Sequence, residues 1–376
     1  MNDFANLARL DQTPDFNPYL DDPNARRSQF FSASSLEGVA VPPRHWLVQD
    51  LVPSGTVTLL SGDGGTGKSL LALQLACAVA GQFQWLGQRT NGGGVVFVSA
   101  EDDERELHRR LDDVARGYGV KLADLDRLTM RSLAGEDALL AVLDKGTGAL
   151  SETPLFWELD RRIREERPAL VVLDTLADLF PGNENDRAQA RQFIGILRGI
   201  AIRHDCAVVL LAHPSLSGLN SGSGTSGSTA WNNSVRSRLY LERVVQDGYE
   251  ANPDARVLST KKANYGRTGG EIGLTWRDGV FVADAPETGL NRMASGMKAE
   301  RVFLKLLRLF ESQGRRVNHA GGPTYAPKMF SEHPDCEGVT KRALKTAMEG
   351  LLAGGKIRVV EDGPASKRRT FIEAVA

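Results

Sequence analysis

Gly62-Asp63-Gly64-Gly65-Thr66-Gly67-Lys68-Ser69 satisfies G-x-x-x-x-G-K-[ST], the spacing of a loop that cradles phosphates. Its glycines let consecutive backbone N–H groups curl around phosphate oxygens, where a Cβ would obstruct them. A helix opening at Ser69, with Leu70 next, adds the partial positive charge of its N-terminus. Lys68 is placed to reach the β- and γ-phosphates, and the Ser69 hydroxyl to ligate Mg²⁺. The chemistry implied is the binding and cleavage of a nucleoside triphosphate as its Mg²⁺ complex. A glycine-rich turn that binds nothing is the plain alternative. It is disfavoured by the context, an apolar strand Val57–Leu60 directly before the loop and a helical pattern directly after it.

Three further candidates stand at the ends of later apolar runs. Val95–Ser99 leads into Glu101 and Asp102. Glu101 is the candidate base for an attacking water, and Asp102 the candidate cap of the helix that follows. Leu170–Leu173 ends in Asp174, a candidate for holding the water shell of Mg²⁺ beside Ser69. Val208–Leu211 leads to His213, which can hydrogen-bond the γ-phosphate or the base and so report nucleotide state. A turn acid and a satisfied core histidine are the ordinary alternatives for these two.

The elements that must position these groups alternate in kind. Apolar runs at Thr56–Ser61, Gly94–Ser99, Ala169–Asp174, Ala207–Ala212, Ser237–Leu241 and Arg256–Lys261 are separated by amphipathic stretches. Those stretches are Ser69–Ala80, Asp103–Gly117, Leu155–Glu166 and Asp186–His204. Continuous Val/Leu/Ile runs between helices are what a parallel sheet covered on both faces requires, so the expected fold is α/β, doubly wound and mainly parallel. A hairpin is expected at Glu271–Trp276 and Val280–Ala283, turning on Asp278-Gly279.

Residues 1–40 read as a poorly ordered lead-in and 41–286 as the ATPase domain. Residues 287–297 read as a linker, and 298–376 as a second domain. In the last, Val302, Phe303, Leu306, Leu307 and Phe310 fall on one helix face. Two further helices, Tyr325–His333 and Thr340–Ala353, then two strands, Ile357–Val360 and Arg369–Ala374, complete a winged-helix order. Lys341, Arg342 and Lys345 lie early in the third helix. Residues 291–376 hold 16 Lys and Arg against 9 Asp and Glu, within a chain of net charge −1. A basic tail on an acidic body suggests contact with a polyanion, a solvated helical surface being the plain alternative.

The rest of the composition excludes several classes. Of 376 residues, 41% are hydrophobic and 25% charged, ordinary for a globular protein rather than a disordered or coiled-coil one. The three cysteines form neither a disulfide framework nor a metal knuckle, which points to a reducing, cytoplasmic setting. The first residues have no apolar core of a signal peptide, and no stretch approaches a membrane-spanning length.

The strand ends, taken together, resemble the RecA-like ATPase core, and within it the DnaB/RepA-like hexameric helicases. Asp174-Thr175-Leu176-Ala177-Asp178-Leu179-Phe180, Gly182-Asn183-Glu184-Asn185-Asp186 and Ala212-His213-Pro214-Ser215 are similar to the RepA-like replicative helicases of plasmids and prophages. The resemblance covers residues 45 to about 285. It implies a homo-oligomer, a hexamer by type, with ATP between subunits and single-stranded DNA as partner. Arg236 stands at the place of the RepA-type arginine finger, with Arg238 as fallback. Lys262 matches the lysine of the DnaB-type Lys-x-Arg-Asn-Gly segment, while Asn264 replaces its arginine. The Gly/Ser-rich stretch Pro214–Thr229 sits where RecA-like proteins carry a DNA-contacting loop, yet it holds no Lys or Arg.

Two functions of different class follow. One is an ATP-driven ring that moves on single-stranded DNA and unwinds a duplex. The other is a nucleotide-switched DNA-binding regulator, or a RecA/KaiC-like ATPase, that does not unwind. A small-molecule kinase would add a basic lid, and none is apparent.

Overall fold

The computed structural model describes residues 31–213, 229–245, 249–266, 268–285, 289–362 and 369–375. The chain divides into two units, Met1–Arg44 and His45–Ala376. In the first, the described part is exposed and carries one 3₁₀ turn, Ala33–Leu36, capped by the Ser32 hydroxyl. The lead-in expected over residues 1–40 otherwise lies outside the described residues.

In the second unit, β1 (Trp46–Val48) and β2 (Val52–Pro53) form a short hairpin before β3 (Val57–Gly62) and α1 (Lys68–Ala80). The pair β4 (Gln84–Trp85) and β5 (Gln88–Arg89) leads to β6 (Val95–Ser99), α2 (Glu104–Tyr118) and β7 (Leu128–Ser132). A third hairpin, β8 (Ala141–Leu143) and β9 (Leu150–Glu152), precedes α3 (Pro154–Glu166) and β10 (Leu170–Asp174). Then come the single turn α4 (Leu176–Leu179), α5 (Arg187–Arg203) and β11 (Ala207–Ala212). Beyond residues 214–228, α6 (Thr229–Ser234) leads to β12 (Ser237–Arg243), β13 (Ala255–Ala263), β14 (Glu271–Arg277) and β15 (Val280–Ala283).

Among the described residues nine of these strands form one sheet, in the order β15-β14-β13-β12-β3-β11-β10-β6-β7. The six from β12 to β7 are parallel, and β12 to β15 are antiparallel. The doubly wound α/β arrangement is therefore present, with an antiparallel flank. Strands β3, β6, β10 and β11 are buried along their whole length, which is why they read as unbroken aliphatic runs. Against one face pack Leu71, Leu75 and Val79 of α1 with Leu107 and Val114 of α2. Against the other pack Phe156 and Ile163 of α3 with Phe193, Leu197 and Ile200 of α5. From Leu71 to Ala80 every residue of α1 is buried, so this helix has no solvent face.

The expected hairpin turns where the sequence places it. Asp278 and Gly279 both have positive φ (49° and 88°), the two-residue turn that suits the twist of paired strands.

The C-terminal segment has its own core. Helices α7 (Gly289–Ser312), α8 (Ala326–Ser331) and α9 (Lys341–Ala353) are followed by the pair β16 (Ile357–Asp362) and β17 (Arg369–Ala374). Val302, Phe303, Leu307 and Phe310 pack with Phe330, Leu344, Leu351, Ile357 and Ile372. The order of three helices and two strands agrees with the sequence reading, and the turn at 363–368 lies outside the described residues. One boundary is corrected. The linker expected over 287–297 is helical from Gly289 on. Two glycines in that stretch each cost roughly 1 kcal/mol of helix stability, too little to interrupt a helix whose later turns are anchored in a core.

Candidate functional site

The loop between β3 and α1 needs its glycines for two different reasons. Gly65 and Gly67 have φ of +67° and +94°, a region other residues enter only with strain. Gly62 and Gly67 are also closely approached. A Cβ at Gly62 would lie 2.3 Å from the Leu241 carbonyl oxygen, and one at Gly67 would lie 2.6 Å from the Phe281 ring. The backbone is thus closely approached by both β12 and β15.

Lys68 opens α1 and is buried, with Nζ donating to the carbonyl oxygens of Gly62 (2.8 Å) and Asp63 (3.0 Å). The same nitrogen lies 3.2 Å from Nδ1 of His213. Burial pulls the Lys68 pKa down, while the charges of Glu101, Asp174 and Asp63 hold it up. An ammonium has no lone pair to offer, so Nδ1 is the acceptor here. The other ring nitrogen, Nε2, stands 3.6 Å from Oε1 of Glu101. His213 therefore bridges the lysine and the candidate base.

Because β6, β10, β11 and β3 are parallel neighbours, their carboxyl ends gather Glu101, Asp174, His213 and the glycine loop at one edge of the sheet. Asp174 is 1% exposed. Burial pushes its pKa up to about 7; a hydrogen bond from Ser69 pulls it back, and the charges of Glu101 and Asp102 push further. Its Oδ2 is buried without a hydrogen-bond partner. Ser69 and the Lys68 charge compensate an ionised Asp174 only in part, and a divalent cation beside Ser69 would supply the rest. The pair fits Mg²⁺, which takes one or two protein oxygens and fills the rest of its shell with water and phosphate.

One role moves by a single residue. The cap of α2 is Asp103, whose side chain accepts from the Glu106 amide, rather than Asp102. Asp102 is instead paired with Arg110, and its amide donates to the Ser99 hydroxyl. The extra residue lets the chain leave β6 in a turn before the helix starts.

A cavity of about 420 Å³ joins these groups to residues that sequence reasoning missed. Gly65, Gly67, Lys68, Ser69, Leu70, Glu101, Asp174 and His213 line one part of it; Arg110, Asp113, Trp276 and Gly279 line the rest. Nothing local marks Trp276, which the antiparallel flank brings across from some 200 positions away. Around the outside of the loop, Tyr240 donates to Asp63 (2.9 Å), and Arg256 donates to the Thr66 carbonyl oxygen (3.2 Å).

Arg236 and Lys262 do not join this cleft. Arg236 donates its amide to the Val57 carbonyl oxygen, at the start of β3. The phosphate loop leaves the other end of that strand, five residue steps and about 16 Å away. Lys262 is beside it: the Arg236 charge, after burial, helps to depress the lysine pKa. The Lys262 ammonium donates to the carbonyl oxygens of Asn232 (2.6 Å) and Asn233 (3.2 Å) at the end of α6. Arg236 is half-buried, with no hydrogen-bond partner for its buried Nε. Arg238, the fallback, is 4% exposed and lies within the sheet, which removes it as a group for a neighbouring chain.

The stretch Pro214–Thr229 lies outside the described residues up to 228. Its flanks are described. His213 precedes it, and Trp231 follows it, fully buried against Phe180 and Phe193 with its indole N–H on the Glu184 carbonyl oxygen (2.8 Å). Among the described residues no helix is long and apolar enough to cross a membrane.

Comparison with known proteins gives relatives of partial extent. The chain is 26% identical over 176 residues to the DNA repair protein RadA of Mycobacterium tuberculosis, covering 46% of this chain and 29% of that one. It is 26% identical over 167 residues to the DNA repair and recombination protein RadB of Archaeoglobus fulgidus, covering 42% and 62%. The chain thus spans less than two thirds of either. A crystal structure of a KaiC-like protein from Pyrococcus horikoshii aligns at 15% identity and a TM-score of 0.45, over 64% of this chain and 94% of that one. The AAA domain family AAA_25 matches residues 23–218, just over half of the sequence and all of the strand ends described above, and the chain belongs to that family.

Proposed function

We propose that the protein is an ATP-hydrolysing, ring-forming motor that acts on single-stranded DNA, a helicase of the kind that serves a mobile element's replication. In this reading the glycine loop from Gly62 to Leu70 binds the triphosphate, and Ser69 and Asp174 hold Mg²⁺. Glu101 deprotonates the attacking water, with His213 reporting the state of the γ-phosphate. Lys68 neutralises charge on the phosphates.

The observation that carries the reading is the separation of the two cation sets. Lys68 stands in the cleft with the acids, whereas Arg236 and Lys262 stand at the far end of β3. A cation there cannot serve the phosphates of its own chain, and because both side chains are only partly buried they are suited to a neighbour's. Six copies closing in a ring would complete each site.

A second reading, a DNA-binding ATPase that switches or assembles without unwinding, is favoured by the DNA-repair names of the matched relatives. Strand displacement separates the two. ATP-dependent unwinding of a forked duplex, with ATPase stimulated by single-stranded DNA, supports the motor. DNA-stimulated ATPase without displacement supports the switch. A slow rate indifferent to DNA, in a chain that stays monomeric with nucleotide, overturns both.

A further inference from the structure

The cleft has a wall that the phosphate chemistry leaves unused. Trp276 on β14 pairs directly with Phe281 on β15, so the two rings project from the same face of the hairpin. The Trp276 amide donates away from the pair, to the Asp254 carbonyl oxygen (2.8 Å). Phe281 also turns its backbone outward, donating to Oε1 of Gln74 (2.9 Å) and accepting from Nε2 of Gln74 (3.0 Å). The pair is therefore of the non-hydrogen-bonded kind, in which side chains approach most closely. The Phe281 ring closes over Gly67 and is 5% exposed. Trp276, its neighbour, is 43% exposed and lines the cleft beside the loop.

The hairpin that carries this ring is fixed on two sides. Gln74 ties it to α1 by two hydrogen bonds. On the other side its turn is fitted against α2, where a Cβ at Gly279 would meet the Asp113 carboxylate at 2.6 Å and one at Gly117 would meet Val280 at 3.0 Å. An exposed indole held this rigidly costs little further entropy when it takes a ligand.

We propose that Trp276 is the platform on which the nucleobase stacks, so that this hairpin supplies affinity for a nucleoside triphosphate over a bare polyphosphate. The proposal rests on the triphosphate reading above. With phosphates on Gly65 to Ser69, Trp276 is the exposed aromatic among the residues that line the same cleft, beside the Phe281 ring that closes over Gly67. Stacking on an aromatic ring is tolerant of base identity, so it sets affinity for a base rather than a choice among bases.

The test measures binding of Mg·ATP and of Mg·tripolyphosphate, which has no base, to the full chain by calorimetry. Trp276→Ala is expected to weaken ATP roughly tenfold to a hundredfold and to leave tripolyphosphate unchanged, with Trp276→Phe retaining most of the ATP affinity. Equal loss for both ligands, or no loss for ATP, in a folded variant overturns the proposal and leaves the phosphate site standing. A wild type that binds neither ligand removes the phosphate site and this proposal with it. Should the alanine variant not fold, tryptophan emission decides: ATP, but not tripolyphosphate, quenches the wild type, and Trp276→Phe loses that quench. The same quench in Trp276→Phe overturns the platform.

Discussion

Nζ of Lys68 lies 3.2 Å from Nδ1 of His213, so the lysine of the phosphate loop and the histidine at the end of β11 are in direct contact. Three acceptors hold that ammonium: His213 and the carbonyl oxygens of Gly62 and Asp63. In the proposed function a phosphate entering the loop would compete for it and free His213 to interact with Glu101. His213→Gln keeps an acceptor for Lys68 and a donor for Glu101, whereas His213→Leu keeps neither. Steady-state ATPase with and without DNA is expected to retain DNA stimulation in the glutamine variant and lose it in the leucine variant.

Glu101→Gln removes the proposed base and little else, since the Glu101 side chain is 43% exposed and sits 3.6 Å from the His213 ring. Single-turnover hydrolysis is expected to slow by roughly 10²- to 10⁴-fold. Equilibrium binding of ATP, measured on the same variant, is expected to stay within a few-fold of wild type.

Asp174 makes stability depend on pH, and the metal binding proposed for it would depend on pH in the opposite way. Its folded pKa, pushed up to about 7, lies above the unfolded value near 4. The folded chain therefore holds this proton more tightly than the unfolded chain. The stabilisation is complete below about pH 4 and is lost as pH rises toward 7, by about 2–4 kcal/mol over that range. In the proposed site Mg²⁺ would need the ionised form, so its affinity is expected to weaken as pH falls below 7. Denaturant melts without Mg²⁺ at pH 5 and pH 8 are expected to differ in wild type, and to differ less in Asp174→Asn.

Arg236 supplies a test of shared sites. Arg236→Ala is expected to slow turnover by roughly 10³-fold or more, the scale seen for arginines that reach a transferred phosphoryl. Mixing it with Lys68→Ala restores turnover, because an intact loop on one copy then faces an intact Arg236 on the next. Unrescued activity across all mixing ratios contradicts a site divided between chains.

Gln74→Leu leaves the Phe281 N–H and carbonyl without their partner inside the protein. Each buried group left unmade costs about 1–3 kcal/mol. A lowered denaturation midpoint is expected, along with weaker ATP binding through the loosened Trp276.

Much of this was readable in advance because burial on both faces leaves little latitude. Strands β3, β6, β10 and β11 have to be aliphatic throughout, and their polar ends Asp174, Glu101 and His213 stand out against them. What escaped was decided by tertiary contact. Strand β7 is an edge, half-exposed and mixed in character, so Leu128–Ser132 carries no aliphatic signature. The antiparallel sense of β13 leaves no mark on Ala255–Ala263, since residues in either direction present the same alternation. Trp276 is an ordinary strand aromatic until the hairpin is placed against α1. The cap of α2 fell on Asp103 because three acids in succession, Glu101 to Asp103, offer the same chemistry.

The absence of any solvent face on α1 has a mechanical consequence. A rod packed on every side has nowhere to slide or tip without opening a void or forcing a clash, and protein interiors tolerate neither. The loop it carries is thus anchored to stiff ground. In the proposed motor, a displacement set off by ATP cleavage would then pass outward from the loop and not be absorbed by bending beneath the phosphates.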